Sequence, residues 1–206
     1  MSKIGKPRAT IYGVGVNDSS LPTRLIKDEY ARWMHVMNNC FGSIARRREE
    51  KSTLDPRWYS FSAFIEWLHA QPNWREYELH KSIKEAGNVL YSPDTCVMVH
   101  PAIRRALRRR PKVYDGMPHG VTLSSREAKR GFKSYVAQGR SLLTGKALHL
   151  GVFRTPEEAH AAWQEDKIEH LKECLTLSNN DDVTDRLNRD IARLRDDRDN
   201  KRITIW

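Results

Sequence analysis

Between Pro111 and Gly120 the chain places Pro111, Gly116, Pro118 and Gly120 within ten residues. Proline removes amide donors and fixes φ, and glycine resists ordering, so neither a helix nor a central strand crosses this stretch. The sequence therefore reads as two blocks joined by a linker at 111–120. Before the linker, large apolar residues recur at helical spacing. After it, short apolar runs alternate with turn residues.

Residues 1–27 read as an irregular arm, with Gly5, Pro7, Gly13, Gly15, Pro22 and the run Asn17-Asp18-Ser19-Ser20. Residues 28–110 form the first block. Tyr30, Trp33, Met34, Met37 and Phe41 fall on one helical face behind Asp28 and Glu29, so an amphipathic helix is expected over about 26–42. A second helix follows Ser60, with Phe61, Phe64, Ile65 and Leu68 inward and Trp58 and Trp67 closing the same core. The pieces Val89-Leu90-Tyr91 and Cys96-Val97-Met98-Val99 flank Ser92-Pro93-Asp94. This predicts a hairpin, then a short helix opened by Pro101 and cut off by Pro111.

In the second block, 121–177, strands are expected at Val121–Ser125, Phe132–Gln138 and Ala147–Phe153, the last two as a hairpin. Thr155-Pro156-Glu157-Glu158 is a capping box with proline at the first helical position. The helix it opens carries Ala159, Ala162, Trp163, Ile168, Leu171 and Leu175. Phe132, Tyr135 and Trp163 are expected under the sheet. Residues 178–206 read as a charged helix with Val183, Leu187, Ile191 and Leu194 on one side, a face that could take a partner. The fold class expected is α+β: a helical N-terminal part with a ββα-metal-like hairpin and helix, a small three-stranded antiparallel sheet plus helix, then a C-terminal helix.

Charge is distributed unevenly. The net formal charge is +10, and residues 98–146 hold 12 Lys and Arg against Asp115 and Glu127. The remainder of the chain is balanced, so the whole excess lies in about a quarter of the sequence, the footprint of a polyanion-binding surface. No run approaches the ~18 apolar residues of a membrane span, and Met1–Thr10 has no apolar run behind it, so neither membrane nor secretory signal is expected. Cys40, Cys96 and Cys174 are an odd set without a Cys-x-x-Cys pair, which argues against a disulfide framework or zinc ribbon and for a reducing, cytoplasmic setting. Cys96 reads as a small core residue. No glycine-rich phosphate loop is present.

Three stretches carry a resemblance. Gly87-Asn88 followed by Tyr91-Ser92-Pro93-Asp94-Thr95-Cys96-Val97 is the most specific. Trp58-Tyr59-Ser60-Phe61-Ser62-Ala63-Phe64 is the second, and the third runs from Lys146 through Gly151-Val152-Phe153-Arg154-Thr155-Pro156-Glu157-Glu158-Ala159 to His160. With Gly13-Val14-Gly15-Val16-Asn17-Asp18 and Tyr30-Ala31-Arg32-Trp33-Met34, the matching stretches are spread along almost the whole length of the chain. The sequence resembles phage-encoded HNH-type, homing-like endonucleases in which a degenerate HNH region precedes an Apetala-type DNA-binding domain. The resemblance implies hydrolysis of double-stranded DNA with a divalent metal, in a host bacterial cytoplasm. The departures fall on the chemistry: the family's Leu-Asp-Lys-Asp-Ile stands here as Leu79-His80-Lys81-Ser82-Ile83, and Arg104 occupies the place of an asparagine.

Two readings of this site are open. In one, His80 is a ligand or general base, and His80, Asp94 and His100 hold Mg²⁺ or a transition metal such as Mn²⁺, Ni²⁺ or Zn²⁺. Asn88 then completes the site, with Lys81 and Arg104 on the scissile phosphate. In the other, the scaffold binds DNA without cutting it. For binding, Arg105, Arg108 and Arg109 after the signature are expected to meet phosphate. Arg126, Lys129, Arg130, Lys133, Arg140, Lys146 and Arg154 are candidates for the face of the second domain that enters the major groove. A host protein, or a second copy of the chain, is the remaining expected partner, through the C-terminal helix.

Overall fold

A computed structural model describes residues 10–43, 51–108, 116–124, 133–142 and 144–205. The fold is mixed α+β and divides into two compact units, Met1–Val99 and His100–Trp206. The boundary lies between Val99 and His100, not at the proline- and glycine-rich stretch, because the helix that begins at Pro101 turns Ala102, Ile103 and Ala106 inward and packs within the second unit. No helix among the described residues is long and apolar enough to cross a membrane.

In the first unit α1 (Lys27–Phe41) buries Trp33, Val36 and Met37. The helix α2 (Phe61–His69) buries Phe61, Phe64 and Leu68. Ser60 caps α2 by accepting from the Ala63 amide at 3.1 Å. Its hydroxyl also donates to Asp18 at 2.7 Å, and Asp18 accepts from the Ser62 amide at 2.8 Å. Burial opposes ionisation of Asp18, yet the Ser62 and Ser60 hydrogen bonds hold its carboxyl below the usual range. Residues 16–18 are thus stapled to the head of α2. Val16 bridges to Ser60 as well, with its amide on the Tyr59 carbonyl at 2.8 Å.

Trp33 and Trp58 are fully buried at the centre of this core, and the Trp33 indole donates to the Trp58 carbonyl at 2.8 Å. Phe61 lies 5.0 Å from the Trp33 ring, and Trp67 4.8 Å from that of Trp58. Each such large side chain contributes about 1.5–3 kcal/mol by leaving water. Buried Cys96 belongs to this core, and Cys40 packs against it. Burial pushes their thiols up to about 12 and about 11, so both are inert packing residues.

The expected hairpin between 89–91 and 96–99 does not form. Instead β1 (Thr53–Leu54) pairs in parallel with β3 (Leu90–Tyr91), and β2 (Glu78–His80) pairs antiparallel with β4 (Val97–Val99). The reason is local. Ser92 Oγ accepts from the Thr95 amide, Thr95 Oγ1 donates to the Leu90 carbonyl, and the Cys96 amide donates to the Ser92 carbonyl. This closed turn leads β4 away from β3 and leaves it to β2.

In the second unit α3 (Pro101–Leu107) is followed by β5 (Val121–Leu123), β6 (Tyr135–Arg140) and β7 (Ala147–Phe153), which form one antiparallel sheet in that order. The helix α4 (Pro156–Leu175) covers one face of the sheet and is opened by the expected capping box, with Thr155 and Glu158 exchanging hydrogen bonds. Val121, Ala137 and Ala159 form the buried centre, flanked by Tyr135, Phe153 and Ala162. The helix α5 (Asp181–Asp199), capped by Asn180, folds back on α4. Val183, Leu187, Ile191 and Leu194 are all buried there. The face expected to take a partner is therefore spent within the unit. The chain end follows, with Thr204 buried and held by Gln164 and His160.

Candidate nucleic-acid interface

The outward face of the sheet follows from its register. Val121, Ala137 and Gly151 are cross-strand partners on the helix-covered side. Their neighbours Thr122, Val136 and Val152 therefore face away from α4, and Val152 is 50% exposed. Along β6 the alternation carries Gln138 and Arg140 outward, and both are exposed. Beyond β7 it carries Arg154 outward as well.

A bulge alters this pattern on β7. Ala137 pairs with Gly151 but Gln138 pairs with His149, so Leu150 is the extra residue. Simple alternation from Val152 would put Leu150 outward and His149 underneath. The bulge reverses them, and exposed His149 stands opposite Gln138 while Leu150 packs partly into the core. The outward ribbon thus carries Gln138, Arg140, His149, Val152 and Arg154. Exposed Lys133 precedes β6 and exposed Lys146 precedes β7, so cations stand at both ends. Arg140 also donates to the Gly145 carbonyl at 2.6 Å, which closes the turn beneath it.

No family model, curated protein or solved structure matches the chain.

The residues expected to carry chemistry are distributed between the units. His80, Lys81, Asn88 and Asp94 belong to the first, and His100 and Arg104 to the second. His80 ends β2, half-buried, and its Nδ1 accepts from the Ser82 amide at 3.2 Å, so the neutral ring carries its proton on Nε2. Asn88 is the tie of the 81–90 loop: it donates to the Lys81 and Leu90 carbonyls at 2.6 and 2.8 Å and accepts from the Leu90 amide. Lys81 donates to the Asn88 carbonyl at 3.0 Å and lies 5.4 Å from the Tyr91 ring centroid.

Asp94 and His100, two of the expected metal ligands, have other partners in this structure. Asp94 is exposed and paired with Arg57, which also grips Asp55. His100 is the N-cap of α3, its Nδ1 accepting from the Ala102 amide at 3.2 Å. Among the described residues no three His, Cys, Asp or Glu side chains come together in one cluster.

Of the expected DNA contacts, Arg105 and Arg108 are exposed at the end of α3, and Lys133, Arg140, Lys146 and Arg154 border the sheet as above. Arg109, Arg126, Lys129 and Arg130 lie outside the described residues. Sequence reading missed Gln138 and His149, since no residue pattern announces the bulge. It also missed Asp166, Lys167 and His170, whose spacing on α4 looks like an ordinary polar face.

Proposed function

We propose that this chain binds duplex DNA through the outward face of β6 and β7. The observation that carries the reading is the register, which gathers Gln138, Arg140, His149, Val152 and Arg154 on one exposed ribbon with Lys133 and Lys146 at its ends. A two-stranded ribbon is ~5 Å between strand axes, and β6 and β7 run ~20 Å, dimensions that suit a major groove ~12 Å wide. Arginines at 140 and 154 can take guanine O6 and N7 in pairs, Gln138 can take adenine N6 and N7, and the Val152 methyls suit the thymine methyl. The flanking lysines would meet phosphate and set orientation without choosing sequence.

The local charge of +10 over residues 98–146 supports the same reading by counterion release. So does the resemblance to endonucleases with an Apetala-type domain. Binding, not hydrolysis, is the function proposed, because Asp94, His100 and Asn88 are each committed to Arg57, to the α3 cap and to the loop.

Titration of a labelled duplex at two salt concentrations tests this. Wild type is expected to bind with an affinity that falls steeply with salt, and Arg154→Ala to cost about 1–3 kcal/mol. Equal binding by wild type and Arg154→Ala, or no binding at low salt, would refute it.

A further inference from the structure

The second unit contains a cleft of about 440 Å³ between the end of α3, the start of β5, the end of β6 and α4. Arg105, Arg108, Arg140 and Lys167 line it, with Asp166, Asp190 and His170. The two carboxylates are already committed. Asp166 takes a hydrogen bond from the Arg140 backbone, an approach open only because residue 139 is glycine, where a Cβ would stand 2.1 Å from Asp166 Oδ2. Asp190 is paired with Arg186 at 3.1 Å, both of them buried.

The cations are less engaged. Lys167 Nζ, one of three possible donors used, gives a hydrogen bond to the Ala106 carbonyl at 2.5 Å. Arg105 and Arg108 have no ion pair among the described residues. His170 is 8% exposed, and its Nε2 is buried without a protein partner. A buried ring nitrogen in a native fold is ordinarily satisfied, so the cleft has an unmet polar demand at its floor.

We propose that this cleft is a binding site for a phosphate group, held by Arg105 and Arg108 at the mouth and by His170 and Lys167 at the floor. Guanidinium forks match the oxygens of a phosphate in pairs, and an ammonium adds a point charge. Burial first, then Lys167 and Arg105, push His170 towards its neutral form against a hydrogen bond to the Arg140 backbone, and an anion in the cleft offsets the cationic part of that effect. The cleft adjoins the outward ribbon at Gln138 and Arg140, which border both, whereas Arg154 belongs to the ribbon alone. Its phosphate could be carried by a small free ester or by a nucleic-acid strand, and the two sources are separable.

The test titrates the full chain with inorganic phosphate and with thymidine 5′-monophosphate while following the histidine ring resonances, the His170 signal being assigned by its loss in His170→Gln. Both probes are expected to move the His170 signal saturably, and the exposed double substitution R105Q/R108Q to weaken them about tenfold or more. Arg154→Ala should leave these titrations unchanged. If R105Q/R108Q loses the nucleotide yet holds a duplex as wild type does, the site serves a free ester. Loss of both assigns it to a strand, and in each case the site stands. Failure of duplex binding alone would sink the ribbon reading and leave the cleft intact. An unmoved His170 signal, or equal phosphate affinity in R105Q/R108Q, would overturn the cleft proposal.

Discussion

Gln138 and His149 stand opposite each other across β6 and β7, and they do so because Leu150 is a bulged extra residue on β7. The bulge turns a polar, hydrogen-bonding ring onto the exposed face and tucks a leucine towards the core. One inserted residue thereby converts an apolar strand surface into one that can address base edges.

The glycines of the second unit separate backbone strain from crowding. Gly120 has φ +76° and a Cβ there would lie 2.0 Å from Trp163 Cδ1, whereas Gly145, at φ +66°, has nothing within 4 Å. Gly120→Ala should destabilise by roughly 3 kcal/mol, the left-handed cost plus overpacking, and Gly145→Ala by only about 1 kcal/mol. Urea denaturation of both variants measures the difference. Equal losses would mean that Trp163 does not press on residue 120.

The capping box of α4 is a smaller, local contribution. Thr155 accepts from the Glu158 amide at 3.2 Å while Glu158 accepts from the Thr155 amide at 3.3 Å. Replacing Thr155 by alanine should cost about 1 kcal/mol, and replacement by serine much less. Thermal denaturation that ranks serine with alanine would contradict the cap.

Acid should weaken the second unit through two histidines. Burial, opposed by a hydrogen bond to the His119 carbonyl and by Asp197, holds His160 below its usual range. Its Nδ1 donates to the His119 carbonyl at 2.9 Å and its Nε2 accepts from the Thr204 amide at 3.0 Å, so only the neutral ring fits. Burial, then Lys167, lowers His170 to about 4. Because both folded values lie below the unfolded value of 6.5, the unfolded chain binds protons first. Their stabilising contribution is complete above that value and is lost as pH falls towards about 4. Denaturation midpoints between neutral pH and pH ~4.5 should decline, and His160→Gln should flatten the decline. A midpoint that holds steady over this range would contradict the assignment.

Much of this architecture is legible in the residues because it is written locally. The Trp33 and Met37 stripe, Ser60 before α2, Pro101 before α3 and the Thr155 box each depend on spacing within a turn or two of helix. Strand partnership is not local. Leu90-Tyr91 and Val97-Met98-Val99 look like a hairpin until the Ser92–Thr95 turn is seen to close on itself and send each strand to a different, earlier partner. The same holds for the site. Arg140 and Arg154 are recognisable as basic residues just beyond the ends of the expected strands, while the bulge at Leu150 that selects His149 leaves no trace in composition. Asp94 read as a ligand because its pairing with Arg57 joins residues far apart in sequence.

That pairing predicts the outcome of a cleavage assay. With Asp94 held by Arg57 and His100 capping α3, supercoiled plasmid should remain intact with Mg²⁺, Mn²⁺, Ni²⁺ or Zn²⁺. Nicking that requires a metal and disappears in His80→Ala would contradict the reading of the first unit as a scaffold.

The central claim is that the ribbon of β6 and β7 meets DNA, and amide chemical-shift mapping of the isotope-labelled full chain with a short duplex tests it most directly. The expected result is that Gln138, Arg140, His149, Val152 and Arg154 shift most, with Lys133 and Lys146 beside them and the buried face of α5 unmoved. Shifts concentrated on α1 and α2, with the ribbon silent, would contradict it.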